Sequence, residues 1–441
     1  MLRTTAFERP ARALALGAAA ALLALSSAGE ARAADKPDAL GVGVFTFMSG
    51  PAAAYGMPGK QGAELIIEQI NAAGGVGGVP IRATYVDEAQ GAEGVIGEYR
   101  RLAESGDVDV MIAALSSGNC LALAPVADQL SMPTINWNCD THQLFLKEPQ
   151  VQMMFRPNGN TVPEFIAFAA YLLNVNPDVK RIAFINPDYA FGHDAAAIVT
   201  AALKAFEPDV EVVAELFPKL GAGTYQTEIS RLSAARPDVI FSNLWGADLE
   251  NFVRQAAPRG LFSQSQVVLA LGETILETVD LPEGVVVGVL GDGYWRSPTA
   301  QANPETVAFV EAYKAKYGTY PVFPTMKMAN AFVVMKDAIE KAIADNGGAW
   351  PSREQIAAAL EDFEGETLTG TTRIREDNDS AVDQVVGVSQ ANAELGFPVM
   401  GNLVRYDGAA LMAPVGEDPI AWIATLTPDF HASLPAPGSY K

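Results

Sequence analysis

Short β-branched runs alternate with longer helical segments along this 441-residue chain, and this alternation most constrains its fold. From Leu40 onward the runs are apolar and rich in Val and Ile, which favours buried strands, while the segments between them show helical spacing. Such alternation predicts parallel sheets with helices on both faces. The rhythm restarts after the segment 156–158, which predicts two sheets of this kind. The predicted strands are 40–48, 81–87, 108–114, 134–137, 181–186, 211–217, 239–243, 267–271 and 285–290.

Amphipathic spacing predicts ten helices between and after these strands. They are 58–71, 93–104, 121–130, 162–173, 190–205, 225–234, 249–259, 305–316, 326–344 and 353–361. From Gly370 the chain changes to short β-like pieces separated by turns. The fold class predicted from the residues is therefore α/β with two parallel sheets.

Charge and composition exclude several classes of function. The chain has 30 Lys and Arg against 52 Asp and Glu, a net charge of −22, which repels a phosphate backbone and excludes nucleic acid as a partner. Two cysteines and three histidines form no zinc-binding pattern, so we expect no metal and no cofactor.

The first 33 residues have the pattern of a secretory signal peptide. Arg3, Arg9 and Arg12 precede an apolar run at 13–25, and Ala-Arg-Ala at 31–33 fits a cleavage site. The run is too short to span a bilayer. We therefore expect an exported protein cut after Ala33.

Export bears on the two cysteines of the chain. An oxidising compartment would allow Cys120 and Cys139 to pair in a disulfide. Two unpaired buried thiols are the alternative.

Polar and aromatic side chains cluster in the loops that follow the predicted strands. Ligands of α/β sheets bind beyond the carboxyl ends of the strands, so a binding site is expected there. The loops are rich in Ser, Asn, Gly, acids and aromatics, a mixture that suits a small polar molecule with an apolar body. They are 49–57, 116–120, 138–141, 187–192, 244–248 and 272–274.

Three stretches in the first predicted sheet resemble a known family. They are SGPAAAYG at 49–56, the helix end INAAGGVGG at 70–78, and Asp87 after the next strand. Together they resemble the periplasmic branched-chain amino acid binding proteins, which are the type I solute-binding components of ATP-driven (ABC) importers. The likeness runs through almost the whole mature chain.

The resemblance implies two Rossmann-like lobes that are joined by three hinge crossings and enclose one ligand by hinge motion. The crossings are expected near 156–158, 290–293 and 370–373. Lobe 1 would then comprise 34–156 and 291–371, and lobe 2 would comprise 157–290 and 372–441. It further implies a periplasmic protein, a monomer, whose partners are a small-molecule ligand and a membrane ABC permease.

For lobe 1, the resemblance implies that Ser116, Ser117 and Asn119 hold a ligand carboxylate. Ser117 as a helix N-cap is the alternative, and both roles are compatible. Asp140 stands where the leucine/isoleucine/valine binders have a threonine, and it would repel a carboxylate unless it is protonated or turned away. Either Thr141 makes the contact, or the ligand presents a donor or a positive charge. Capping of the next helix is the alternative role for Asp140.

Aromatic residues of both lobes complete the implied site. Tyr55 on lobe 1 and Phe191 and Trp245 on lobe 2 match aromatic contacts of the family, with Tyr189 able to supply the hydroxyl that a phenylalanine lacks. Glu273 lies within one residue of the acid that neutralises a ligand ammonium. The alternatives are core positions for the aromatics and an exposed first-turn acid for Glu273. An aromatic-and-acid box suits a cationic, amine-bearing or aromatic ligand.

The leading functional hypothesis is capture of a small organic solute without catalysis, followed by delivery to a permease. An exported α/β enzyme is less well supported, because Gly-x-Ser-x-Gly and Gly-x-x-x-x-Gly-Lys-Ser/Thr are absent. A ligand-sensing partner of a membrane receptor is a third hypothesis, which the sequence does not separate from transport.

Overall fold

The computed structural model describes residues 36–146 and 150–440. The predicted signal peptide, 1–33, lies outside the described residues. Within these residues no helix has both the length and the apolar composition that crossing a bilayer requires.

The first sheet has five parallel strands in the order β2-β1-β3-β4-β5. Its strand β1, which lies between β2 and β3, is buried along its whole length, as its apolar sequence predicts. Gly41 in β1 allows close packing, because a Cβ there would lie 1.8 Å from the Asp107 carbonyl oxygen. The strands are β1 Leu40–Thr46, β2 Ile81–Asp87, β3 Val110–Ile112, β4 Thr134–Ile135 and β5 Met154–Phe155.

The second sheet has seven strands in the order β14-β13-β10-β9-β8-β6-β7. Five of them run parallel, while β13 pairs antiparallel with β10 and β14 antiparallel with β13. The strands are β6 Arg181–Ile185, β7 Glu211–Leu216, β8 Val239–Ser242, β9 Gln266–Leu269, β10 Val286–Val289, β13 Gln384–Gln390 and β14 Val399–Tyr406; β11 Glu364–Thr367 and β12 Gly370–Arg373 form a separate hairpin.

Fourteen α-helices of the described residues accompany the sheets. The first-sheet lobe carries α1 Ala53–Ala72, α2 Gly91–Ser105, α3 Ser117–Gln129, α9 Pro298–Ala302, α10 Pro304–Tyr317, α11 Phe323–Asp345 and α12 Arg353–Leu360. The second-sheet lobe carries α4 Thr161–Val175, α5 Ala190–Phe206, α6 Gln226–Ala235, α7 Ala247–Ala256, α8 Leu261–Gln264, α13 Pro419–Ile423 and α14 Pro428–Ser433.

Helix boundaries follow local chemistry where the sequence supplies a cap. Ser352 and Gln355 form a reciprocal capping box at α12. The start of α1 differs from the prediction, since the helix begins at Ala53 and includes Pro58. Tertiary contacts hold this extra turn: Tyr55 is buried, and the Thr46 hydroxyl donates to the Gly56 carbonyl at 3.1 Å.

The two-sheet α/β prediction is confirmed. The chain passes from one lobe to the other in the segments 156–160, 290–297 and 374–383, which connect elements of the two sheets. The lobe boundaries given above stay a prediction. The β-like tail contains β12, β13 and β14, while the short helices α13 and α14 were not predicted.

Candidate functional site

One wall of a cavity between the sheets comes from strand ends of the first lobe. Tyr55, in the first turn of α1, donates its hydroxyl to Asn138 Oδ1 at 2.9 Å. Leu115 and Ser117 follow β3, and Asn138 and Asp140 follow β4. Burial raises the pKa of Tyr55 well above its ordinary value of 10.0, so the phenol stays protonated and keeps its donor.

The opposite wall comes from strand ends of the second lobe. Tyr189 and Phe191 follow β6, Trp245 follows β8, and Leu271 and Leu290 follow β9 and β10. The Trp245 indole N–H donates to the Tyr189 hydroxyl at 3.0 Å, which holds two of the rings in place. Burial raises the pKa of Tyr189, so its hydroxyl also remains a donor at physiological pH.

The two walls meet at the edge of the cavity. The Tyr55 and Trp245 rings pack edge to face with centroids 5.5 Å apart, and the Ala247 N–H donates to the Pro51 carbonyl at 3.3 Å. Gly246 adopts φ +58°, and a Cβ there would lie 3.1 Å from the Pro51 oxygen, so glycine permits this approach.

The space between the walls, part of which is open to solvent, amounts to about 260 Å³. A cleft walled by apolar side chains, with a few polar groups aimed into it, is typical of small-molecule sites. Most of the cavity lining is aromatic or aliphatic, and a few polar groups converge in it. The residues predicted for the site that line this cavity are Tyr55, Ser117, Asp140, Tyr189, Phe191 and Trp245.

Three further predicted residues lie next to the cavity without lining it. Ser116, rather than the following serine, caps α3 by accepting from the Asn119 N–H at 3.3 Å. The Asn119 side chain donates to Glu88 Oε2 at 2.8 Å. The Thr141 hydroxyl donates to Asp194 Oδ2 at 2.6 Å and thereby joins the two lobes. The hydrogen bonds of these three side chains are made to other residues of the chain, so they support the walls of the cavity.

Glu273 lies outside this cavity. The loop after β9 turns its leucine toward the cavity, whereas Glu273 accepts from the Phe323 N–H at 3.1 Å in a separate pocket lined by Tyr294, Trp295 and Tyr320. With 3% of its surface exposed, Glu273 is not the exposed helix acid of the alternative interpretation either. Burial raises its pKa to about 8.

Asp140 is paired with a buried lysine that is not among the predicted site residues. Lys327 Nζ donates to Asp140 Oδ1 at 2.8 Å, and both side chains are at most 4% exposed. Burial raises the pKa of Asp140, and the Lys327 ammonium counteracts this rise by favouring the carboxylate. The capping interpretation of Asp140 is wrong, because Thr141 supplies the side-chain cap of the turn at 142–144.

More charges lie beneath this pair. Arg156 Nε and Nη2 each lie 2.7 Å from an oxygen of Asp379, a bidentate ion pair. Glu164 Oε1 lies 3.6 Å from Lys327 Nζ, and neither Glu164 oxygen accepts a hydrogen bond from the described residues. Burial and the neighbouring Asp140 carboxylate raise the pKa of Glu164, which favours its protonated form.

Glu88 organises the loop that carries Ser117. Its carboxylate accepts from the Leu115 N–H at 2.8 Å and from the Asn119 amide at 2.8 Å, and it is 1% exposed. Burial raises the pKa of Glu88 to about 7. An ionisable side chain therefore fixes Leu115 of the cavity wall through its backbone, and Asn119 next to the cavity through its side chain.

Cys120 and Cys139 are joined in a disulfide, with their Cα atoms 6.3 Å apart. The bridge links the first turn of α3 to the loop that carries Asp140. In the described part of the chain no group of three or more His, Cys, Asp or Glu side chains could hold a metal ion.

Sequence reasoning missed Lys327, Asn138 and Glu88. A signal for Lys327 was present, because it is the single charged residue in the apolar run 323–335, and such a residue on a buried helix face needs a partner. Asn138 sat in a loop already singled out. Glu88 carried no signal, since an acid after a strand is ordinarily solvated.

Comparison with known proteins defines the class to which this bilobed fold and cavity belong. A family model described as periplasmic binding protein matches residues 39–394. A Leu/Ile/Val-binding protein homolog 7 of Brucella abortus is 27% identical over 314 residues, covering 68% of this chain and 76% of that protein.

Solved structures share the fold. A solute-binding protein of an ABC transporter from Rhodopseudomonas palustris, in complex with 3,4-dihydroxybenzoic acid, superposes with a TM-score of 0.73 at 23% identity, covering 84% of this chain and 98% of that one. A branched-chain amino acid transporter substrate-binding protein from Streptococcus pneumoniae, in complex with isoleucine, gives 0.68 at 19% identity, covering 83% and 99%.

These likenesses show that the chain has the two-lobed fold of those solute-binding proteins. The chain belongs to the periplasmic binding protein family.

Proposed function

We propose that the protein captures a small organic solute, namely an amino acid, an amine or an aromatic compound, between its two lobes and delivers it unchanged to the permease of an ABC transporter. It would act in the periplasm as a monomer, after cleavage of the signal peptide. The observation that carries the proposal is that side chains following seven strands, from both sheets, line one cavity.

The physical basis of capture would be desolvation of the solute between two pre-formed walls. Aromatic rings bring large contact areas at little entropic cost, and the few polar groups fix orientation. Contacts between the walls, such as the Tyr55–Trp245 pair, add stability only while the lobes are together. A solute that touches both walls would therefore shift the protein toward its closed form.

Thermal unfolding against a library of amino acids, amines and aromatic acids tests capture. At a ligand concentration of about 100 Kd the folded state gains about 2.7 kcal/mol, which raises the Tm by several degrees. The hit should be recovered unchanged by mass spectrometry after incubation. Steady conversion of the hit would contradict capture, and absence of any stabilising solute would remove the proposal.

A matched pair of tyrosine variants tests the site. Tyr55→Phe removes the hydroxyl that donates to Asn138, and we expect a loss of about fivefold in affinity. Tyr99→Phe is the control, because Tyr99 is equally buried and pairs with Thr134 away from the cavity. It should lower the unfolding temperature without changing the ligand-induced shift. Equal affinities for the two variants would place the site elsewhere.

Export and delivery have their own tests. N-terminal sequencing of the exported protein should begin at Ala34, and a mature chain that retains the preceding residues would contradict cleavage after Ala33. Uptake of the hit into cells should fall when the gene is deleted and recover when the native chain is restored. If uptake is unchanged by the deletion, delivery to a transporter is contradicted while capture of the solute still stands.

A further inference from the structure

Lys327 is a buried cation that Asp140 separates from the cavity. It lies in the second turn of α11, is 4% exposed, and donates to Asp140 Oδ1 at 2.8 Å. Asp140 lines the cavity, whereas Lys327 does not. The lysine can therefore act on a bound solute only through the carboxylate that it holds.

The second carboxylate oxygen is left for the solute. Asp140 Oδ2 accepts no hydrogen bond from the residues that the structure describes. The surrounding protein atoms do not fully enclose this oxygen either. The oxygen is thus open to the cavity that Asp140 lines. An acceptor in this position calls for a hydrogen-bond donor on the solute.

The surrounding charges decide which donor fits. Two cations, Lys327 and Arg156, face the two carboxylates Asp140 and Asp379 at 2.7–2.8 Å. Glu164, with its protonated form favoured, adds no charge to this balance. The cluster is then neutral without any ligand, so a ligand ammonium is not needed to balance the Asp140 charge, and the ammonium behind Asp140 weakens the attraction that the carboxylate would exert on one.

The remainder of the cavity is apolar or aromatic. Tyr55, Phe191 and Trp245 present rings, and leucines fill the other positions of the lining. The two walls already touch where Tyr55 packs on Trp245, with ring centroids 5.5 Å apart, so the space beside this contact suits a compact body. An uncharged donor on a small ring meets both requirements.

We propose that the cavity selects a compact aromatic solute whose hydroxyl group donates to Asp140 Oδ2, and that Lys327 sets this selectivity by neutralising the carboxylate. This inference rests on the proposed capture function. It replaces the cationic ligand that an aromatic-and-acid box suggested, because the box contains its own cation.

Two matched probe pairs test the selectivity. Benzyl alcohol and benzylamine differ only in hydroxyl against ammonium, and 4-(hydroxymethyl)benzoate and 4-(aminomethyl)benzoate repeat the comparison with a carboxylate present. Calorimetry on the native protein should give at least tenfold tighter binding of the hydroxyl member in at least one pair. Equal or tighter binding of the ammonium members would overturn the proposal.

Variants of Lys327 test its positioning role. Lys327→Gln retains a donor for Asp140 but no charge, so the hydroxyl-to-ammonium affinity ratio should fall at least tenfold. Lys327→Arg restores the charge and should return the ratio to within threefold of native. A merely structural lysine would lower both affinities together and leave the ratio unchanged, which would overturn the assignment.

Circular dichroism verifies that each variant is folded, and the native ratios test the solute class without any variant. If none of the four probes binds but an amino acid does, the hydroxyl selectivity is refuted while capture stands. If no solute of any class binds, the proposed function itself fails.

Discussion

Trp245→Ala should separate closure of the lobes from stability of the fold. Trp245 packs on Tyr55 with ring centroids 5.5 Å apart and on Phe47 at 6.1 Å, and both partners belong to the other lobe. Each aromatic pair contributes about 0.5–1.5 kcal/mol beyond buried area. The two pairs together stabilise the joined lobes by about 1–3 kcal/mol, which corresponds to about 5- to 150-fold in ligand affinity.

Titration calorimetry with a stabilising solute measures this loss, and melting of the unliganded protein measures the fold. We expect the affinity of Trp245→Ala to fall by at least fivefold, while the unliganded melting temperature changes little. Trp245→Phe is the matched control, since it keeps an aromatic ring and loses the hydrogen bond to Tyr189 together with part of the ring area. The reasoning is refuted if Trp245→Ala binds within twofold of native, or if the free and bound proteins lose equal stability.

Other expected outcomes concern buried carboxyls and the disulfide. Glu88→Gln should cost about 1–3 kcal/mol of stability and weaken solute binding, because an amide cannot accept from both of its present donors; chemical denaturation and calorimetry check the two effects. The raised pKa of Glu273, about 8 against an ordinary 4.5, means that its stabilising contribution is complete below pH 4.5 and is lost as the pH rises through 8. Glu273→Gln should therefore flatten the stability profile between these values, and an unchanged slope would show that Glu273 is ionised throughout. Replacing Cys120 and Cys139 together by Ser should lower stability by about 3 kcal/mol and remove the effect of reductant on the native melting curve.

Most of the fold was predictable because its pattern is local. β-Branched runs such as 40–46 and 181–185 became buried strands, and glycine-terminated segments became helices. Helix α1 started earlier than predicted, since packing of Tyr55 in the cavity wall outweighs the cost of Pro58 inside the helix. The short helices of the tail carry too little periodic sequence to be recognised.

The aromatic part of the site was predictable for a topological reason. Parallel strands end at one edge of each sheet, so residues that follow different strands, such as Tyr55, Tyr189 and Trp245, converge. Glu273 also follows a strand, but the chain position that faces the cavity falls two residues earlier. Leu271 takes the cavity position, and Glu273 meets the first turn of α11 instead.

The electrostatic character of the site was not predictable, because it depends on a contact over 187 residues of sequence. A carboxylate at Asp140, seen alone, indicates a cationic ligand or a repelled anion. Beside Lys327, the Asp140 carboxylate belongs to an ion pair with no net charge. The second oxygen of Asp140 remains a hydrogen-bond acceptor. Burying two charges costs several kcal/mol unless they meet in good geometry, so neither side chain is explained without the other. The chemistry demanded of the solute is thus a property of the pair, and only the folded chain brings its two members together.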